Sequence, residues 1–192
     1  MAAASPEAAP MLPIGPGRFV MVVGPSGVGK DSLIRAARDA LAGDEHYVFP
    51  RRLVTRPSSE AEDNAEIAAD AFERLRSEGA FAVSWTAHGL GYALPRDIDD
   101  DIARGRTVIC NVSRHAVRGL RDRYGNTVVV AIDAPREVLE RRLAARKRGE
   151  DGPLEQRLAR AAPTPEDLRP DALIVNAGTL EAATTAFLDA IR

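Results

Sequence analysis

Nearly continuous apolar runs and amphipathic stretches take turns along this chain. Arg18–Val23 reads Arg-Phe-Val-Met-Val-Val, the pattern of a strand buried on both faces of a parallel sheet. Lys30–Leu41 follows with Leu33, Ile34, Ala37, Ala40 and Leu41 at helical spacing, which predicts a helix with one apolar face. The same reading gives strands at Tyr47–Val54, Thr107–Cys110, Thr127–Ile132 and Ala172–Val175. Helices are expected at Asp97–Arg104, Ser113–Tyr124, Pro135–Arg146 and Leu180–Ile191. Pro135 suits a first helical position, where a missing N–H loses no bond, and Asp133 is placed to cap that helix. The alternation predicts an α/β fold, a doubly wound parallel sheet flanked by helices.

Two stretches interrupt it. Arg56–Leu94 is polar and irregular, with a modest helical pattern near Asp70–Ser77. Arg146–Pro153 is charged and contains glycine. Insertions in an open α/β core usually cover its ligand site, and the two stretches are read as such insertions, the first about residues 56–94 and the second about residues 146–157. Met1–Gly17 is rich in Ala and Pro, lacks the basic start and apolar run of a signal peptide, and reads as a disordered tail. Residues 18–192 then form a single domain.

Bulk properties narrow the function classes. A length of 192 residues suits one domain with a proper core. The net charge of −2 argues against a nucleic-acid partner held by bulk charge. A single cysteine, Cys110, excludes an internal disulfide framework and suits the cytoplasm; within a strand it reads as a small core residue. No run approaches membrane-spanning length, so no membrane partner is expected. His46, His88 and His115 show no metal-ligand spacing.

The chemistry begins where the first strand ends. Gly24-Pro25-Ser26-Gly27-Val28-Gly29-Lys30-Asp31-Ser32 has two glycines separated by four residues and then a lysine, between strand and helix. That is the phosphate-binding loop pattern. Glycines let successive N–H groups line an anion-binding concavity, and the following helix aims its positive end at the same point. Lys30 adds a full charge for the outer phosphates. A nucleoside triphosphate enzyme is expected.

Further motifs, in order, are Val54-Thr55-Arg56, Ser84-Trp85, Gly89-Leu90-Gly91-Tyr92, Asn111-Val112-Ser113-Arg114, Arg142-Leu143-x-x-Arg146 with Arg157, and Asn176-Ala177-Gly178-Thr179-Leu180. Together with the loop they resemble the guanylate kinase group of nucleoside monophosphate kinases. Within it the closest likeness is to the ribose 1,5-bisphosphate phosphokinases of alkylphosphonate breakdown. The resemblance covers nearly everything after residue 17. It implies a P-loop kinase with a substrate-binding insertion and a lid, using ATP and Mg²⁺ on a small-molecule sugar bisphosphate, as a monomer or homodimer. The product would be 5-phosphoribosyl 1-diphosphate.

Two departures from guanylate kinase bear on the acceptor. Asp31 stands where a Ser or Thr hydroxyl normally meets Mg²⁺, and this Lys-Asp-Ser order looks like the ribose 1,5-bisphosphate phosphokinases. Ser32 is assigned as the direct ligand, with Asp31 acting through water; both are hard oxygen donors. Ser84, not an acidic residue, precedes Trp85, and a neutral hydroxyl cannot supply the bidentate acceptor that guanine requires. Other nucleoside monophosphate kinases remain an alternative. So does a binding module without catalysis, although Lys30 and the intact loop speak against it.

The remaining roles follow from the resemblance. Arg142, Arg146 and Arg157 are expected to close over the triphosphate and the transferring phosphoryl; Arg142 and Arg146 lie one helical turn apart. Arg56, thrown outward by the following Pro57, is assigned to an acceptor phosphate. Ser84 belongs to the acceptor side. Tyr92 reads either as a phosphate contact or as a packed core residue, and Trp85 as core. Asn111 and Ser113, at the carboxyl end of a buried strand, face the acceptor or the metal, though Ser113 also suits a helix cap. Asp133 reads as a cap before a metal-ordering acid. Asn176 and Gly178 are expected beside the adenine. A phosphate acceptor has a second pKa of about 6 and is mostly dianionic at neutral pH, so no general base is required.

Overall fold

The computed structural model describes residues 12–57, 63–87, 89–145 and 168–192. Arg146, Arg157 and the rest of the expected lid lie outside the described residues, as do residues 1–11 of the expected tail.

Strand β1 (Arg18–Val23) is the middle of a five-stranded sheet. The order is β2 (Tyr47–Val48), β7 (Thr107–Asn111), β1, β8 (Thr127–Asp133) and β9 (Ala172–Val175), and every pairing is parallel. Val20 lies opposite Ile109 on one side and Val128 on the other. Alternate residues of β1 enter opposite cores. Phe19, Met21 and Val23 pack with Ile98, Ile102 and Leu120, whereas Val20 and Val22 pack with Leu33, Phe187 and Ile191. Burial on both faces is why this strand reads as an unbroken apolar run. The first core is closed by α3 (Asp97–Ala103) and α4 (Val117–Arg123), the second by α1 (Lys30–Ala40) and α6 (Leu180–Ile191). Helix α5 (Arg136–Ala145) follows β8.

Asp99 of α3 joins α4: it accepts from the Tyr124 hydroxyl at 2.7 Å and from both Nε and a terminal nitrogen of Arg123. The Tyr124 ring stacks on Phe19 at 5.2 Å, and burial pushes its phenol up. A polar network thus fastens the rim of an apolar layer.

A second sheet, ordered β4-β3-β6-β5, is built from β3 (Arg52–Val54), β4 (Asn64–Glu66), β5 (Phe81–Ala87) and β6 (Leu90–Pro95). Helix α2 (Ala69–Ser77) packs on it. Two expectations are corrected here. Tyr47–Val54 is not one strand: Tyr47–Val48 pairs in the parallel sheet and Arg52–Val54 in the second. Pro50 between them has no N–H and holds Phe49 extended, so the chain leaves one sheet and enters the other. Arg56–Leu94 is not irregular either. Its strands are half-buried or short, so their alternation is diluted by polar residues.

Other differences are local. Ile14, assigned to the tail, donates its N–H to the Arg123 carbonyl at 2.8 Å and packs against the first core. Helix α5 begins at Arg136, with the Pro135 carbonyl accepting from Val138 and Leu139. Asp133 is not its cap, because its carboxylate accepts from the adjacent N–H of Ala134. A 3₁₀ turn, Arg114–Ala116, precedes α4. No helix among the described residues is long and apolar enough to cross a membrane.

The motif Gly89-Leu90-Gly91-Tyr92 combines two backbone demands. Gly89 takes φ 76° in the turn between β5 and β6. At Gly91 the demand is space: an added Cβ would lie 2.7 Å from the ring of fully buried Phe72. Gly91→Ala is expected to destabilise by roughly 1–3 kcal/mol through overpacking. A urea titration with an unchanged m value and a lower midpoint checks it; a wild-type midpoint contradicts it.

Candidate active site

Gly24–Gly29 joins β1 to α1, and its glycines are dictated by the surroundings. Gly24, Gly27 and Gly29 take φ of 149°, 82° and 100°. A Cβ on Gly24 would lie 2.2 Å from the Ile132 carbonyl oxygen, and one on Gly29 would lie 2.6 Å from Asn176 Nδ2. Several loop carbonyls are engaged by side chains. Lys30 Nζ donates to the Gly24 and Pro25 carbonyls, both at 2.9 Å. The Val28 carbonyl accepts from Asn176 Nδ2 at 2.8 Å and from an Arg142 terminal nitrogen at 3.1 Å. No backbone carbonyl among the described residues accepts from the N–H groups of Ser26, Gly27 or Gly29. That arrangement suits a polyanion, which supplies acceptors to such donors.

The carboxyl ends of β1, β7, β8 and β9 surround the loop, as open α/β sheets place their ligand sites. Asn176 just beyond β9 is buried and donates its N–H to the Asp133 carbonyl at 2.7 Å. At the end of β7 buried Asn111 donates Nδ2 to Asp31 Oδ1 at 2.5 Å. Asp31 also lies 3.8 Å from a terminal nitrogen of Arg52. Arg52 in turn donates Nε to Asn64 Oδ1 at 3.2 Å, and its guanidinium carbon lies 5.9 Å from the centre of the Tyr92 ring. Tyr92 stacks on Trp85 at 5.6 Å. A polar chain therefore runs from the phosphate loop into the second sheet.

Along this chain lies a cleft lined by α1 on one side and by Phe49, Pro50, Arg52, Asp63 and Asn64 on the other, with Cys110 and Asn111 also lining it. Burial pushes the Cys110 thiol up to about 12, which makes it a packed, unreactive group. At the outer end the Arg38 guanidinium hydrogen-bonds Asp63, which Arg51 Nε also meets at 2.9 Å. Chiefly through the Arg38 hydrogen bond, Asp63 is held below the usual carboxylate range, so the ion pair is intact at neutral pH.

The structure brings together many of the expected residues. Lys30, Asp31, Asn111, Arg142 and Asn176 converge on the loop. Arg142 does so by donating to a loop carbonyl. Ser32 is exposed on the first turn of α1. Arg56 is the second residue after β3; the first, Thr55, exchanges hydrogen bonds with Gly91 at 3.0 and 2.8 Å and pins the backbone before it. Ser84 sits mid-strand opposite Ala93. Ser113 caps the 3₁₀ turn, accepting from the N–H of His115 at 3.3 Å. A Cβ on Gly178 would meet nothing within 4 Å, so packing within the chain does not require glycine there.

Arg52, Asn64, Arg35 and Arg38 are the residues that sequence reasoning missed. A usable signal existed for two of them: Arg35 and Arg38 stand four and seven residues after Asp31, on one helical face. Arg52 and Asn64 carried no local signal, because their meeting depends on pairing between β3 and β4.

The comparisons with known proteins agree with this geometry. No protein-family model matches the chain. It is 51% identical over 179 residues to ribose 1,5-bisphosphate phosphokinase PhnN of Rhodopseudomonas palustris, covering 93% of this chain and 90% of that protein. Over 177 residues it is also 51% identical to ribose 1,5-bisphosphate phosphokinase PhnN of Methylobacterium radiotolerans, covering 92% of this chain and 98% of that one. Among solved structures, guanylate kinase from Anaplasma phagocytophilum shares the fold, with a TM-score of 0.66 at 18% identity, covering 94% of this chain and 86% of that chain. On the strength of half its residues being identical along nearly its whole length, the chain belongs to the ribose 1,5-bisphosphate phosphokinase family.

Proposed function

We propose that this chain transfers the γ-phosphoryl group of ATP to the 1-phosphate of ribose 1,5-bisphosphate, releasing 5-phosphoribosyl 1-diphosphate and ADP. The observation that carries the reading is near-full-length identity of 51% to proteins of that name, joined to a complete phosphate loop. Phosphoryl transfer needs positioning and charge more than covalent help. Lys30 and the loop N–H groups bind the triphosphate, and Arg142 holds the loop in shape while presenting its guanidinium beside it. Arg56 and Arg52 meet the acceptor. Asn176 and Gly178 lie beside the adenine, Gly178 leaving room for the ring. Arg146 and Arg157 complete the charge over the transferring group.

The first turn of α1 fits a magnesium ion only in part. Asp31 and Ser32 offer hard oxygen atoms, but no group of three or more His, Cys, Asp or Glu side chains among the described residues forms a metal cage. This is the donor set of an ion that keeps phosphates and water as its main ligands. Ser32 would hold it directly and Asp31 through water, the carboxylate being engaged by Asn111. Bound there, the ion neutralises charge on the phosphate oxygens.

Guanylate kinase activity is disfavoured by Ser84, since the Trp85–Tyr92 stack beside it offers no paired acceptor for guanine N–H groups. We assign the proposed ribose 1,5-bisphosphate phosphokinase reaction to the cytoplasm.

Parallel ADP-release assays with ribose 1,5-bisphosphate, GMP, AMP and ribose 5-phosphate test the substrate. The bisphosphate should dominate; strong turnover of GMP with none of the bisphosphate contradicts the assignment. The loop itself is tested by two variants. Lys30→Met should keep the fold, with a slightly lower melting temperature because the Gly24 and Pro25 carbonyls lose their donor, and lose roughly 10³-fold in turnover, the scale of one lost transition-state charge. Ser32→Ala should raise the Mg²⁺ concentration needed for half-maximal rate. Near wild-type turnover of the first, or an unaltered metal requirement of the second, removes the corresponding role.

A further inference from the structure

The acceptor named above carries two phosphates, and only one of them reacts. The other needs a site of its own. Resting on that reading, we infer that Arg38 and Arg35 of α1, with Arg51 opposite them, form the subsite for the non-reacting phosphate, and that Asp63 occupies this subsite as an internal counter-ion.

Asp31, Arg35 and Arg38 line the cleft together, at intervals of four and three residues. Along an α-helix those steps rise about 6 Å and about 10 Å beyond Asp31. Two phosphates at opposite ends of a pentose span a distance of that order. Asp31 adjoins Lys30, so the inner end of the cleft is the reacting end, and the arginines mark the outer end.

The opposing wall supplies the second observation. Asp63 places its carboxylate between Arg38 and Arg51, accepting from both. Two guanidinium groups converging on one anion from separate elements are what a phosphate dianion would recruit. Arg38 reaches from the helix of the parallel sheet, whereas Arg51 and Asp63 flank strands of the second sheet. The pair therefore also fastens the insertion to the core. Asn64 is held from both sides, its carbonyl by Arg51 at 3.0 Å and its side chain by Arg52. It keeps the neighbouring Asp63 in register. A phosphate arriving at the outer end would replace one carboxylate charge with up to two, and the arginines would exchange partners.

Charge also distinguishes this arrangement from a general surface ion pair. Among the described residues that line the cleft, Arg35, Arg38 and Arg52 stand against Asp31 and Asp63, an excess of one positive charge (3 − 2). An acceptor with one phosphate has little use for the outer cations. An acceptor with two engages both ends, so this subsite confers preference for the bisphosphate over ribose 1-phosphate.

The test compares ribose 1,5-bisphosphate with ribose 1-phosphate in the full-length enzyme, with ATP saturating. Wild type should prefer the bisphosphate. In Arg38→Ala and in Arg35→Ala that preference, as a ratio of kcat/KM values, should shrink roughly 10- to 100-fold, the scale of a charge-assisted hydrogen bond. The change should lie in KM for the bisphosphate, not in kcat. Asp63→Asn should act oppositely and lower KM for the bisphosphate, because the competing charge is removed. A ratio unchanged in both arginine variants overturns the subsite, as does a higher KM in Asp63→Asn. Wild-type inactivity on both sugars overturns the parent reading and the subsite with it.

Discussion

The Val28 carbonyl is the point on which the site's construction depends. A loop that offers its N–H groups to an anion turns carbonyls elsewhere, and each carbonyl needs a donor where water is excluded. Asn176 and Arg142 supply them for Val28, and Lys30 does so for Gly24 and Pro25. These bonds draw the ends of β9 and α5 onto the loop that follows β1. Gly29 has no side chain because Asn176 fills the place where a Cβ would be. Loop, edge strand and helix are in that sense one object, and the nucleotide site is their joint product.

The second constraint is anion crowding. Donor and acceptor both bring several negative charges, so the cleft carries many arginines, yet a cluster of like charges would open the fold. The structure answers with carboxylates among the guanidinium groups. Asp31 meets Arg52 and Asn111; Asp63 meets Arg38 and Arg51. These pairs are partly exposed and individually contribute little to stability. Their value lies in holding arginines extended and oriented. Arg52 is the clearest case, with its side chain only 14% exposed, bonded to Asn64 and lying over Tyr92.

The parts of the molecule legible in the sequence were those where one local rule dominated. Doubly buried β1 and β8, amphipathic α1 and the glycine loop each declare themselves within a few residues. What stayed hidden depends on partners distant in sequence. The second sheet pairs Leu53 with Ala93 and Val54 with Tyr92, and neither β3 nor β4 is long enough to show a period. Arg52 is unremarkable until β4 carries Asn64 alongside it. Arg56 could be singled out because a proline follows it, and Arg142 because of its spacing from Arg146. The grip of Arg142 on the Val28 carbonyl could not be read from either. Ser113 offered two readings, and the hydrogen bond to His115 supports the cap.

Product structure tests the central claim most directly. Ribose 1,5-bisphosphate, ATP and Mg²⁺ incubated with the enzyme can be followed by phosphorus NMR. Transfer to the 1-phosphate predicts a new pair of mutually coupled resonances from a diphosphate on C1, with the 5-phosphate signal retained, as ADP forms in equal amount. ADP accompanied only by inorganic phosphate, or a sugar whose new phosphoryl group sits elsewhere, would contradict it.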